Sequence, residues 1–153
     1  MEADFTQIHN PSFYFSILNK LKLDNLQVKI EALNSLSNLL TYADQDRLNG
    51  FPLDLFSSEL LELLNTTTDG NIAKLSAQCV FSLLEAHSRS TSSLMKYQVL
   101  TILASHLLNC KWFEASEYCL KALHVISKYR ANDISFKIGI EPFLKMFDHF
   151  TII

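Results

Sequence analysis

An all-helical solenoid of stacked helix pairs is the fold this sequence predicts, on three observations. Only three glycines and three prolines interrupt 153 residues, so the connections must be short. Leucine far outnumbers valine, which favours helix over sheet. The helices, once marked, also recur at a regular interval, as stacked repeats do. A hydrophobic share of 48% against 19% charged residues supports a sizeable core and excludes a disordered chain.

The elements follow in order. Residues 1–10 read as a loose lead-in and residues 11–153 as one helical-repeat domain. Pro11 and Ser12 open an apolar stretch from Phe13 to Leu23. A second helix is expected from Leu26 to Tyr42, with Leu33, Leu36 and Leu40 on one face. Asn49-Gly50-Phe51-Pro52 is a break, because glycine suits the end of one helix and proline the first turn of the next. A helix over 53–65 and a turn from Thr66 to Gly70 come next. The helix over 71–87 carries two apolar stripes, Ile72, Leu75, Cys79, Leu83 and Ala86, then Ala73, Ala77, Val80 and Leu84. An apolar face that wide packs against neighbours on two sides. A polar turn from Ser88 to Ser93, a helix over 94–109 and a helix over 111–129 are expected after it. The last repeats the two-stripe arrangement through Ala115, Cys119, Ala122 and Ile126 beside Leu120 and Leu123. A final apolar stretch runs from Phe136 to Ile153.

Leu63-Leu64-Asn65 returns 44 residues later as Leu107-Leu108-Asn109. Leu33-x-x-Leu36, Phe81-x-x-Leu84 and Leu120-x-x-Leu123 sit at matching points of successive long helices, at offsets of 48 and 39 residues. These intervals straddle the ~40–47-residue period of armadillo and HEAT repeats, and they predict about three repeats in a right-handed α-solenoid. A globular helical bundle also has amphipathic helices but has no need of recurring spacing.

Composition narrows the function. The net charge of −3 gives no basic face for nucleic acid. No apolar run reaches the ~20 residues that span a bilayer. The acidic start, Met1-Glu2-Ala3-Asp4, is unlike a signal peptide. Cys79, Cys110 and Cys119 are odd in number and form no CxxC pair, so they read as reduced thiols in the nucleus or cytoplasm. No catalytic, cofactor or metal set is expected: there is no Gly-rich phosphate loop and no Ser/His/Asp order. His106 and Cys110 are four apart, but no second pair converges on them. Trp112 is followed four residues on by Ser116 rather than by the Asn of nuclear-import adaptors, so it reads as an inter-repeat packing residue.

The polar stripes of the long helices are the candidate partner-binding groove. They comprise Asn34, Ser37 and Thr41, then Gln78, Ser82, Glu85 and Arg89, then Glu117, Lys121, His124 and Lys128. Amides and charges at this spacing can hydrogen-bond an extended peptide, although any one of them also suits a plain solvated face.

Two blocks carry a family resemblance. Asp46-Arg47-Leu48-Asn49-Gly50-Phe51-Pro52 matches an Asp-x-Leu-x-Gly-Phe-Pro motif, and Ser116-Glu117-Tyr118-Cys119-Leu120-Lys121-Ala122-Leu123 matches an A-E-x-x-L-x-A-L helix with Ser for the first Ala. In these the chain resembles the armadillo-repeat region of HECT-type E3 ubiquitin ligases of the ubiquitin-fusion-degradation class, over about residues 26–150. The family's catalytic lobe and thioester cysteine have no counterpart here, so that role falls on none of the three cysteines. The resemblance implies a module that recruits protein or peptide, a degradation substrate or a ubiquitin chain. The alternative is a non-catalytic armadillo/HEAT scaffold or transport adaptor unrelated to ubiquitin. Phe143, Phe147, Phe150, Ile152 and Ile153 leave an apolar end, which is the expected mark of a stacking partner or of a longer solenoid.

Overall fold

The computed structural model describes residues 11–43, 48–87 and 89–137, the last seven of them as backbone only. The expected lead-in, the motif positions Asp46 and Arg47, and the apolar end beyond 137 lie outside the described residues. Among the described residues every regular element is a helix.

Capping side chains set two helix starts, and proline marks two others. Pro11 opens α1 (Pro11–Lys22), where its fixed φ suits a first turn. The Asn25 side chain accepts the Val28 N–H at 3.1 Å and starts α2 (Leu26–Tyr42). Gly50, at φ +85°, turns the chain; the Phe51 N–H then closes on the Leu48 carbonyl at 3.0 Å, and Pro52 leads into α3 (Leu53–Thr66). The Asp69 carboxylate accepts the N–H groups of Asn71 and Ile72 at 2.9 and 3.0 Å and caps α4 (Gly70–Ala86).

The next segment departs from expectation. The predicted Ser88–Ser93 turn and 94–109 helix are instead a short α5 (Ser90–Met95), a turn, and α6 (Val99–Asn109). Gln98 stands in the left-handed region at φ +62° and breaks what the periodicity reads as one helix. Ser90 and Ser93 belong to α5 because their hydroxyls are used inside the protein. Ser90 donates to the His87 carbonyl, and Ser93 donates to the Asp54 carboxylate while accepting from the Ser57 hydroxyl. Cys110, also left-handed at φ +45°, ends α6. The last helix, α7 (Phe113–Lys137), is broken by non-helical angles at Arg130, where two helices meet across a kink, so its first part ends where the sequence predicts, near 129.

The helices pack in pairs, α1 on α2, α3 on α4, and α6 on α7. Pairs stack in two rows: α1, α3 and α6 form one, and α2, α4 and α7 the other. The short α5 lies against α3. Among the described residues this is a helical-repeat solenoid of three units, as the sequence predicts. Two neighbours in its row and one behind explain the burial of both apolar stripes of α4, including Ile72, Ala73, Ala77, Cys79, Val80 and Leu83. The Cys79 thiol donates to the Leu33 carbonyl of α2 at 3.4 Å.

The unit junctions are specific. Phe51 stacks on Phe56 with centroids 4.6 Å apart and meets Tyr14 edge-on at 5.2 Å, so the Gly-Phe-Pro block ties α3 to α1. Trp112 lies against Gly70, where a β-carbon would come within 2.9 Å of the indole. The expected inter-repeat role of Trp112 is thus seen between the second and third units. His106 Nε2–H donates to the Leu64 carbonyl at the end of α3, at 2.7 Å, while its own carbonyl accepts the Ser116 hydroxyl at 3.1 Å.

Cys79 and Cys119 are fully buried, and burial pushes both thiols up to about 12. At pH 8 only about one in 10⁴ of each is thiolate, the reactive form. Reaction with a disulfide reagent at pH 8 is therefore expected to titrate one thiol of the native chain, the half-buried Cys110, and all three in urea. Rapid release of two or three equivalents from the native chain would contradict this packing.

Candidate functional site

Because α4 is packed against α2, α3 and α7, one strip of it stays open, and that strip carries Gln78, Ser82 and Glu85. A cleft of about 470 Å³ crosses all three helices of this row, lined by Thr41 and Leu40 from α2, Gln78, Phe81, Ser82 and Glu85 from α4, and Tyr118 and Lys121 from α7. A second cleft of about 520 Å³ continues between α4 and α7, with Phe81, Glu85, Leu120, Lys121, His124 and Lys128 on its walls. Phe81, Glu85 and Lys121 line both, so the two clefts are contiguous. Phe81 and Tyr118 form the aromatic floor, with centroids 6.3 Å apart.

Seven of the residues expected in a groove come together here: Thr41, Gln78, Ser82, Glu85, Lys121, His124 and Lys128. Glu117 holds Lys121 at 3.7 Å, and the Lys121 ammonium lies 5.0 Å from the centre of the Tyr118 ring. Asn34 is exposed on α2 but lines neither cleft. Ser37 is buried, and its carbonyl accepts the Thr41 hydroxyl at 2.7 Å. Arg89 lies apart, because α4 ends at Ala86. Phe81 and Tyr118 were not among the expected groove residues. Their signal was available: Phe81 is three residues after Gln78 and four before Glu85, on the same helical face.

Arg89 belongs to a third cleft of about 930 Å³, walled by the Leu48–Leu55 segment and by His87, Arg89, Ser92, Ser93 and Lys96. Asp54, in the first turn of α3, takes the Ser93 hydroxyl and lies 3.2 Å from the Lys96 ammonium. These two partners, the hydroxyl first, hold its carboxyl below the ordinary range. Burial, with the nearby Arg89 charge, holds the His87 imidazole below its ordinary value. His87 Nδ1 accepts the Arg89 backbone N–H at 3.1 Å.

Among the described residues no three His, Cys, Asp or Glu side chains converge, and His106 is committed to the Leu64 carbonyl. Among them no helix is long and apolar enough to cross a membrane.

Comparison with known proteins agrees with the architecture. Residues 7–133 match the family model for TPR repeats of TRIP12-like E3 ubiquitin-protein ligase. The E3 ubiquitin-protein ligase UPL3 of Arabidopsis thaliana is 29% identical over 113 residues, which are 73% of this chain and 6% of that protein. The E3 ubiquitin-protein ligase UPL4 of the same plant is 22% identical over 100 residues, 65% of this chain and 7% of its own length. The chain thus corresponds to a small part of these long relatives. No solved structure matches it. The resemblance carried by the Gly50-Phe51-Pro52 block and the Ser116–Leu123 helix is borne out: the chain belongs to the TRIP12-like E3 ubiquitin-protein ligase family of helical repeats.

Proposed function

We propose that this repeat module recruits protein to a ubiquitin ligase, and that the face of α2, α4 and α7 receives an extended segment of a degradation substrate or a ubiquitin chain. The observation that carries the reading is the continuity of the two clefts through Phe81, Glu85 and Lys121. An extended peptide laid along it meets an aromatic floor for an apolar side chain. Gln78, Ser82 and Glu85 stand on one bank for backbone groups, and Lys121, His124 and Lys128 on the other for acceptors. Family membership supports the ubiquitin connection. The unit of three helices, α5 to α7, supports an armadillo-like form for the third repeat, beside two units of two helices.

The test is capture of ubiquitin chains and of peptides carrying degradation signals by the folded chain, alongside a Phe81→Ala/Lys121→Glu variant. Phe81 is only half-buried and Lys121 exposed, so the fold should survive both changes. Binding is expected to weaken at least about tenfold, a loss of ~1.4 kcal/mol or more. The proposal fails if neither ligand binds the folded chain, or if the variant binds as well as the native sequence.

A further inference from the structure

Four successive hydroxyls occupy α5, and the structure gives them different employment. Ser90 and Ser93 are buried and donate hydrogen bonds, while Thr91 is half-buried. Ser92 is exposed, and among the described residues its hydroxyl has no partner. Arg89 is three residues before it and Lys96 four after, spacings that place neighbours on one helical face. All three line the 930 Å³ cleft. In the whole sequence no other serine or threonine has a lysine or arginine three residues before it.

We propose that Ser92 is a phosphorylation site for a protein kinase that selects arginine three residues before its target, and that the phosphate is held in this cleft by Arg89 and Lys96. The Ser92 oxygen would attack the γ-phosphorus of ATP. One O–P bond forms, the bond to the bridging oxygen of ADP breaks, and the hydroxyl proton passes to the kinase's base. A helix of six residues is short enough to open for a kinase at small cost. The product adds about −1.5 to −2 charges at neutral pH. The guanidinium of Arg89 is suited to paired hydrogen bonds with its oxygens. The phosphate would share Lys96 with Asp54, which now holds that ammonium at 3.2 Å. This site is separate from the α2–α4–α7 face, and the inference does not depend on the function proposed there.

The test uses the full chain with the catalytic domain of an Arg-x-x-Ser-selecting kinase and ATP, read by mass spectrometry and then by ³¹P NMR titration. One phosphate on Ser92 is expected, and none on S92A. The second ionisation of the folded phosphoprotein should fall at least about half a pH unit below its value in urea, where Arg89 and Lys96 are dispersed. In K96Q, which keeps the Arg89 recognition position, that shift should shrink. No incorporation, equal incorporation into S92A, or identical ionisation in the folded and urea-unfolded states would each overturn the proposal.

Discussion

Replacing Phe51 by alanine is expected to destabilise the chain by about 3–5 kcal/mol, the range for removing a buried phenylalanine. The ring is 7% exposed and packs between two nearly inaccessible rings, Tyr14 of α1 and Phe56 of α3. Its loss opens a cavity where the first and second units meet, and neither partner can follow it, since each is fixed in its own helix. Urea unfolding followed by circular dichroism gives the number, and L55A, on an exposed side chain of the same helix, should move stability by less than about 0.5 kcal/mol. Gly50→Ala separates the turn from the anchor. A β-carbon there meets nothing within 4 Å, so its cost of about 1–2 kcal/mol comes from the left-handed backbone alone. If F51A costs under 1 kcal/mol, the Gly-Phe-Pro block is not the packing device described. If it costs the full amount, the most specific family signature in the sequence is a signature of how units stack. The block then serves the fold and says nothing by itself about ligands.

The helix starts near 26 and 71 were legible from apolar period and turn residues, and in the structure Asn25 and Asp69 satisfy N–H groups two or three residues on at those points. The α5–α6 break was not legible. Gln98 adopts φ +62° without being glycine, and Ser93 is drawn inside by Asp54 and Ser57, 39 and 36 residues earlier. Ser90, Thr91, Ser92 and Ser93 look like loop in a sequence because their polarity is visible and their distant partners are not. The misplacement of Arg89 has the same origin. Extending the α4 period one turn too far puts it in the groove, whereas the chain leaves α4 at Ala86 and carries Arg89 into a separate cleft. Helical period does bring Gln78, Ser82 and Glu85 to one face, and Lys121, His124 and Lys128 to another. That the two faces adjoin depends on α4 packing against α7. The floor of Phe81 and Tyr118 was passed over although helical spacing signals Phe81, because half-buried aromatics read as core.

Gly70 supplies the second large expected effect, and its sign should depend on one distant residue. In the native sequence, Gly70→Ala is expected to destabilise by about 1–3 kcal/mol, because the new methyl group would come within 2.9 Å of Cδ1 and 3.0 Å of Nε1 of Trp112. The indole cannot withdraw cheaply. It also lies beside the His106 ring, with centroids 6.3 Å apart, and His106 is itself held by the Leu64 carbonyl. In a Trp112→Ala background the obstacle is gone. The same substitution should then be neutral or stabilise by up to about 1 kcal/mol, since alanine restricts the unfolded chain more than glycine and suits a helix better. The coupling from the four unfolding curves should therefore be at least about 1 kcal/mol, well beyond the few tenths typical of residues that do not touch. A coupling near zero would mean that Trp112 does not press on the start of α4. A large one would explain why this repeat junction takes glycine at the head of a helix, a position where alanine ordinarily serves better. The glycine is there to let the third unit close on the second, and that closure sets the spacing of α4 and α7 on which the groove depends.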